Sequence, residues 1–105
     1  MKNEHIKQLE NDDKIINGAI ISRKDITARM KSLTGRFFNY ILEQNGEIIY
    51  IGYSASVFIR LNDHKQLKSF DKITLLEFED KVTAKEYEKS LIKFFKPVSN
   101  SQYLN

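Results

Sequence analysis

The sequence predicts a small α/β domain: a three-stranded, mainly antiparallel sheet flanked by helices, with a helical extension on its N-terminal side. Three observations carry this. Two apolar runs, residues 37–42 and 48–52, flank an Asn45-Gly46 turn signal. A third strand-like run covers residues 73–78, and Thr83 with Glu86 reads as a capping box opening a helix from Ala84 to about Phe95. Residues 1–36 then form the extension and residues 37–105 the body. A chain of 105 residues makes one domain with a modest core.

In chain order, residues 2–13 are polar apart from Ile6 and Leu9 and suit a short amphipathic helix. Asn17-Gly18 between isoleucine pairs marks a turn or a tiny hairpin. Ser22 with Asp25 three residues on starts a helix whose apolar face is Ile26, Met30 and Leu33, and Gly35 stops it. Ser56 is the expected N-cap of a helix from about Val57 to Leu67, with Arg60 and His64 on one stripe. Pro97 ends the last helix.

The hairpin allows a sharper expectation. Side chains alternate along strands, so Tyr40 and Tyr50 share a face only if the loop between paired positions has an odd number of residues. A three-residue loop, Gln44-Asn45-Gly46, sets Tyr40 opposite Tyr50 and is predicted here. A two-residue turn separates them unless a bulge restores the phase.

Composition excludes several classes. There is no cysteine, hence no disulfide or thiolate metal site, and a reducing compartment is the simple reading. No apolar stretch approaches the ~20 residues that span a bilayer, and the first residues lack a signal peptide's apolar stretch, so a cytoplasmic location without membrane attachment is expected. The formal charge is +3, and the excess is local. Residues 37–105 balance, whereas residues 23–36 hold Arg23, Lys24, Arg29, Lys31 and Arg36 against Asp25 alone. Such a segment suits phosphate contacts or an ordinary solvated helix face.

One stretch gathers the candidate chemistry: Asn39-Tyr40-Ile41, Asn45-Gly46, Tyr50-Ile51-Gly52, then Arg60 and His64. Downstream follow Glu88 within Ala84-Lys85-Glu86-Tyr87-Glu88, then Lys96-Pro97 and Asn100. This succession resembles the GIY-YIG nuclease domain, whose members carry tyrosine, tyrosine, arginine, a metal-binding glutamate and an asparagine just after a proline. The likeness covers the last two thirds of the chain and departs at Asn39, where the family has glycine. It implies a DNA endonuclease that leaves 5′-phosphate and 3′-hydroxyl ends and uses one Mg²⁺ (or Mn²⁺).

Each residue also has a reading of its own. Glu88 falls between Ala84 and Leu91-Ile92 on the apolar face of its helix, where a carboxylate needs a partner. That partner is Arg60, a tyrosine hydroxyl, or a hard cation that keeps several waters. Tyr40 and Tyr50 are packing residues or a phenol pair that deprotonates water, with Tyr50 favoured as the base. Arg60 offers a planar fork to a phosphate, or pairs with Asp63. His64 hydrogen-bonds a tyrosine, relays a proton, or lies on the surface. Asn100 braces the site or shapes a turn. His5 is incidental, while Tyr53, Ser54, Lys65 and Lys68 lie near the same edge without distinguishing marks.

The expected function is therefore metal-dependent hydrolysis of nucleic-acid phosphodiesters, DNA by preference, with homodimerisation left open as a source of specificity. Two rivals stand beside it. One is a non-catalytic nucleic-acid-binding module of the same fold, the other an interaction module that docks an acidic protein on the basic helix.

Overall fold

A computed structural model describes residues 13–97. Four strands, β1 (Ile15–Ser22), β2 (Phe37–Gln44), β3 (Glu47–Ser54) and β4 (Lys72–Phe78), form one sheet in the order β1-β4-β2-β3. All its pairings are antiparallel. Two α-helices follow the hairpin and β4 respectively: α1 (Val57–Leu67) and α2 (Lys81–Phe95).

The fourth strand corrects the three-stranded expectation. Asn17-Gly18 does not turn, because the outer edge of β4 offers the isoleucine-rich segment a continuous partner, and long-range pairing overrides the local signal. A register shift between Ile15 and Asn17 absorbs the irregularity, and Asn17 Nδ2 donates to Glu77 Oε1 at 2.8 Å. Residues 13–36 are thus partly sheet, where a helical extension was expected. The expected helix after Ser22 is also different: it is two 3-10 helices, Arg23–Asp25 and Ala28–Leu33. Ser22 and Asp25 do cap the first, with the Ser22 N–H donating to Asp25 Oδ2 at 2.9 Å. The β-branched pair Ile26-Thr27 then leaves helical geometry, yet Ile26 and Met30 are buried as the apolar face required. Gly35, at φ +86, makes the turn into β2. The helix expected in residues 2–13 lies outside the described residues.

Helix α1 has the predicted bounds and Ser56 as its N-cap residue, but the Ser56 side chain makes no capping hydrogen bond. The Ser54 hydroxyl accepts from the Ser56 N–H at 2.8 Å instead. Helix α2 starts at Lys81, earlier than expected, because Asp80 accepts from the Thr83 N–H at 2.7 Å and takes the N-cap role assigned to Thr83. Lys96, left-handed at φ 48, closes it just before Pro97.

Alternation along the strands divides the core in two. On the front face Phe38, Tyr40, Leu42, Tyr50, Ile73 and Leu75 pack with Ile26, Met30, Val57, Leu61 and Phe70. On the back face Ile41, Ile51, Leu76 and Phe78 pack with Ala84, Leu91 and Phe95 of α2. Each fully buried aliphatic side chain contributes about 1.5–3 kcal/mol relative to exposure, so both layers matter to a domain this small. No helix among the described residues is long and apolar enough to cross a membrane.

Candidate active site

The phase of the β2–β3 hairpin decides whether the two tyrosines can meet. The loop is the two-residue turn Asn45-Gly46, with φ of 52° and 82°, which is type I′ geometry. The predicted three-residue loop is therefore wrong. What restores the phase is a bulge: the ladder runs Gln44↔Glu47 and Glu43↔Ile48, then Leu42↔Tyr50, leaving Ile49 unpaired. Tyr40 lies opposite Gly52 and Tyr50 opposite Leu42, two steps apart on the same front face. Their ring centroids are 6.1 Å apart and nearly parallel, at 28°.

Gly52 does not turn the chain, as a glycine ending a strand would; β3 continues to Ser54. It makes room for Tyr40. A Cβ at residue 52 would fall 2.4 Å from the Tyr40 hydroxyl oxygen and Cζ, so the phenol lies directly against the glycine backbone. Asn39 points the other way, opposite Tyr53 and Leu76 on the back face, with its amide buried and unpaired by protein groups. The departure from glycine at this position is therefore on the side of the sheet away from the phenols.

Helix α1 supplies the next two groups. His64 is buried at 5 % exposure, and its Nε2 is 3.0 Å from the Tyr40 hydroxyl. Its ring also sits 4.7 Å from the Tyr50 centroid, so it wedges between both phenols and is no surface residue. Burial pushes the imidazole down to about 4, helped by the charges of Lys68 and Arg60, and it is neutral at pH 7. Arg60, one turn earlier, acts on the Tyr40 phenol by charge and by hydrogen bonding while NH1 lies 4.0 Å from Asp63 Oδ2. Of the two readings of Arg60, the Asp63 pair is present as a loose contact, and the guanidinium charge also favours the ionised Tyr40 phenol. The imidazole tautomer sets which partner donates in the Tyr40–His64 contact, and His64 Nδ1 is buried without a protein partner.

Electrostatics separate the members of this group. Burial pushes the Tyr40 phenol up, and neighbouring Tyr50 adds to this; Arg60 pulls it back, and Glu88 opposes ionisation. Glu88 stands on α2, half-buried between the core residues Ala84 and Leu91. Burial raises its carboxyl, while Lys85, Lys89 and the Tyr53 backbone N–H, which donates to it, lower it. A carboxylate whose charged form is disfavoured by burial is one that a divalent cation would stabilise. Among the described residues no three His, Asp or Glu side chains gather. A cation at Glu88 would accordingly keep several waters and take oxygens from a substrate, which suits Mg²⁺.

The basic segment is partly spent on structure. Arg36 forks onto Glu77, Nε to Oε2 at 2.7 Å and NH2 to Oε1 at 2.6 Å, and Arg23 binds carbonyls at the end of α1. Lys24, Arg29 and Lys31 remain exposed. Sequence reasoning placed Lys68 near the same edge without distinguishing it; its ammonium stands 5.0 Å from the Tyr50 ring centroid. It also missed the steric role of Gly52, which no residue-type pattern announces. Asn100 lies outside the described residues. Comparison of the chain with family models, with curated proteins and with solved structures finds no match to any of them.

Proposed function

We propose that the chain is a metal-dependent endonuclease of the GIY-YIG type that hydrolyses DNA phosphodiester bonds. One observation carries the reading: the Tyr40 phenol lies 3.0 Å from His64 Nε2, beside Tyr50, under the influence of both Arg60 and Glu88. Residues from β2, β3, α1 and α2 thereby act on one oxygen, which an ordinary tyrosine core does not require.

The roles follow from the electrostatics. Tyr40, held protonated by burial, orients the attacking water or a phosphate oxygen. Tyr50 takes the water's proton as a phenolate, and neutral His64 holds the Tyr40 hydroxyl in place through their 3.0 Å contact. Arg60 donates to the non-bridging phosphate oxygens as charge builds there. Glu88 would hold a single Mg²⁺ or Mn²⁺, which when bound neutralises charge on the phosphate and leaving oxygen. Water adds to phosphorus as its proton passes to the Tyr50 phenolate, the bond to the 3′ oxygen breaks, and that oxygen takes a proton from solvent, leaving a 5′-phosphate and a 3′-hydroxyl. Exposed Lys24, Arg29 and Lys31 provide a surface for further phosphates.

The test is nicking of plasmid, single-stranded and branched DNA with and without Mg²⁺, beside Glu88→Ala and Arg60→Ala proteins. Rates should fall at least ~100-fold in each variant, as when a transition-state charge partner is removed. DNA binding without cleavage by the parent would instead favour a binding module of the same fold. Cleavage by Glu88→Ala at the parental rate would refute the proposed site.

A further inference from the structure

Helix α1 ends in a clamp built by a residue from the other side of the sequence. Arg23, in the first 3-10 helix, donates through NH1 to the Lys68 carbonyl at 2.9 Å and through NH2 to the Lys65 carbonyl. Its guanidinium carbon stands 4.6 Å from the Phe70 ring centroid. The Lys68 N–H meanwhile donates to the His64 carbonyl at 2.8 Å. The main chain at Lys68 is therefore held on both sides, the residue is half-buried, and its ammonium lies 5.0 Å from the Tyr50 ring centroid. A cation on the face of a phenol is attracted to the ring, and a phenolate attracts it more strongly because the charge is then full.

We propose that Lys68 is a positioning residue that selects Tyr50, not Tyr40, as the phenol that ionises, by keeping a cation on the Tyr50 ring. The consequence for reaction rate rests on the nuclease reading; the effect on Tyr50 does not. The surroundings of the two phenols differ in the required sense. Tyr40, from β2, is 1 % exposed and feels Glu88 from α2, with Arg60 as its counterweight. Tyr50, from β3, meets the Lys68 ammonium, the neutral ring of His64 and, more weakly than Tyr40 does, the charge of Arg60. Lys68 and Arg60 act against protonation of His64, and Asp63 acts for it. One lysine thus adds to the burial that keeps the histidine neutral and favours the charged form of the base.

The experiment is ¹³Cζ-tyrosine NMR titration of the full chain, with the Tyr50 signal assigned through Tyr50→Phe, in the parent, Lys68→Met and Lys68→Arg. In Lys68→Met the Tyr50 midpoint should rise by about half to one pH unit, given a cation 5.0 Å from the ring centroid and partly screened by solvent. The His64 midpoint, read from its imidazole protons below pH 7, should rise as well. Lys68→Arg should keep both close to the parent. Nicking by Lys68→Met should drop about three- to tenfold at pH 7 and recover as pH rises, whereas a purely structural defect would lower it at every pH. Unchanged Tyr50 and His64 midpoints in Lys68→Met would overturn the proposal. Shifted midpoints in a parent that nicks nothing would uphold Lys68's role and sink the nuclease reading instead.

Discussion

Replacing Gly52 by alanine tests the geometry on which the candidate site depends. The new methyl would stand 2.4 Å from the Tyr40 Cζ and hydroxyl oxygen and 2.9 Å from Cε1. Non-bonded carbons settle at ~3.5–4.0 Å, so the ring must retreat by more than ~1 Å. It has nowhere to go, being 1 % exposed and bounded by Tyr50 and His64. Overpacking of this kind costs ~1–3 kcal/mol, and breaking the 3.0 Å contact with His64 strands a buried polar pair at a further ~1–3 kcal/mol. Alanine recovers ~0.5–1 kcal/mol of strand preference over glycine. The net expectation is a loss of about 3 kcal/mol, or roughly 10–20 °C in Tm for a domain of this size. Urea unfolding of parent, Gly52→Ala, Tyr40→Ala and the double variant closes a thermodynamic cycle. Most of the Gly52→Ala cost should vanish once the Tyr40 ring is gone. If alanine costs as much in the Tyr40→Ala background, or if Gly52→Ala melts with the parent, the phenol does not lie against residue 52.

Two further outcomes follow from the same region. His64 is pushed down to about 4 in the folded chain against ~6.5 when unfolded, so the unfolded chain binds the proton first as pH falls. Stability should be lost between about pH 6.5 and 4, by up to ~3 kcal/mol, and urea midpoints of His64→Gln should be flatter over that window; parallel curves would mean His64 titrates normally. Gly46 sits at φ +82 with open space around it, so Gly46→Ala should cost ~1 kcal/mol through backbone strain alone, additively with Tyr40→Ala. A denaturation midpoint equal to the parent's would rule out the type I′ turn.

Features whose causes are local could be read from the residues. Alternation and the Asn45-Gly46 pair expose the hairpin; the apolar spacing around Glu88 places it on a half-buried helix face; and α1 has the bounds its pattern requires. Features with distant causes could not. Asn17-Gly18 carries a turn signal, and only the presence of β4, some 55 residues later, makes it strand. Charge counting treats Arg23 and Arg36 as free, although their partners are carbonyls at 65 and 68 and the Glu77 carboxylate. The expectation that the tyrosines share a face was met by a different device from the one predicted, because no side chain marks Ile49 as the residue that will bulge. The contact of Gly52 with Tyr40 depends on that bulge in turn, so it was out of reach.

The unpaired Ile49 also bears on how the hairpin tolerates changes in length. Excising it would let the ladder close without interruption, and Leu42 would still meet Tyr50 while Tyr40 still met Gly52. The strand would lose a kink, and both phenols would keep their orientation. A residue added to a bulge-free version would have to be looped out again, or every side chain toward Ser54 would swap sides. The hairpin therefore carries a position whose loss would remove front-face packing but leave the register intact, next to a stretch where the parity of the chain leaves no latitude.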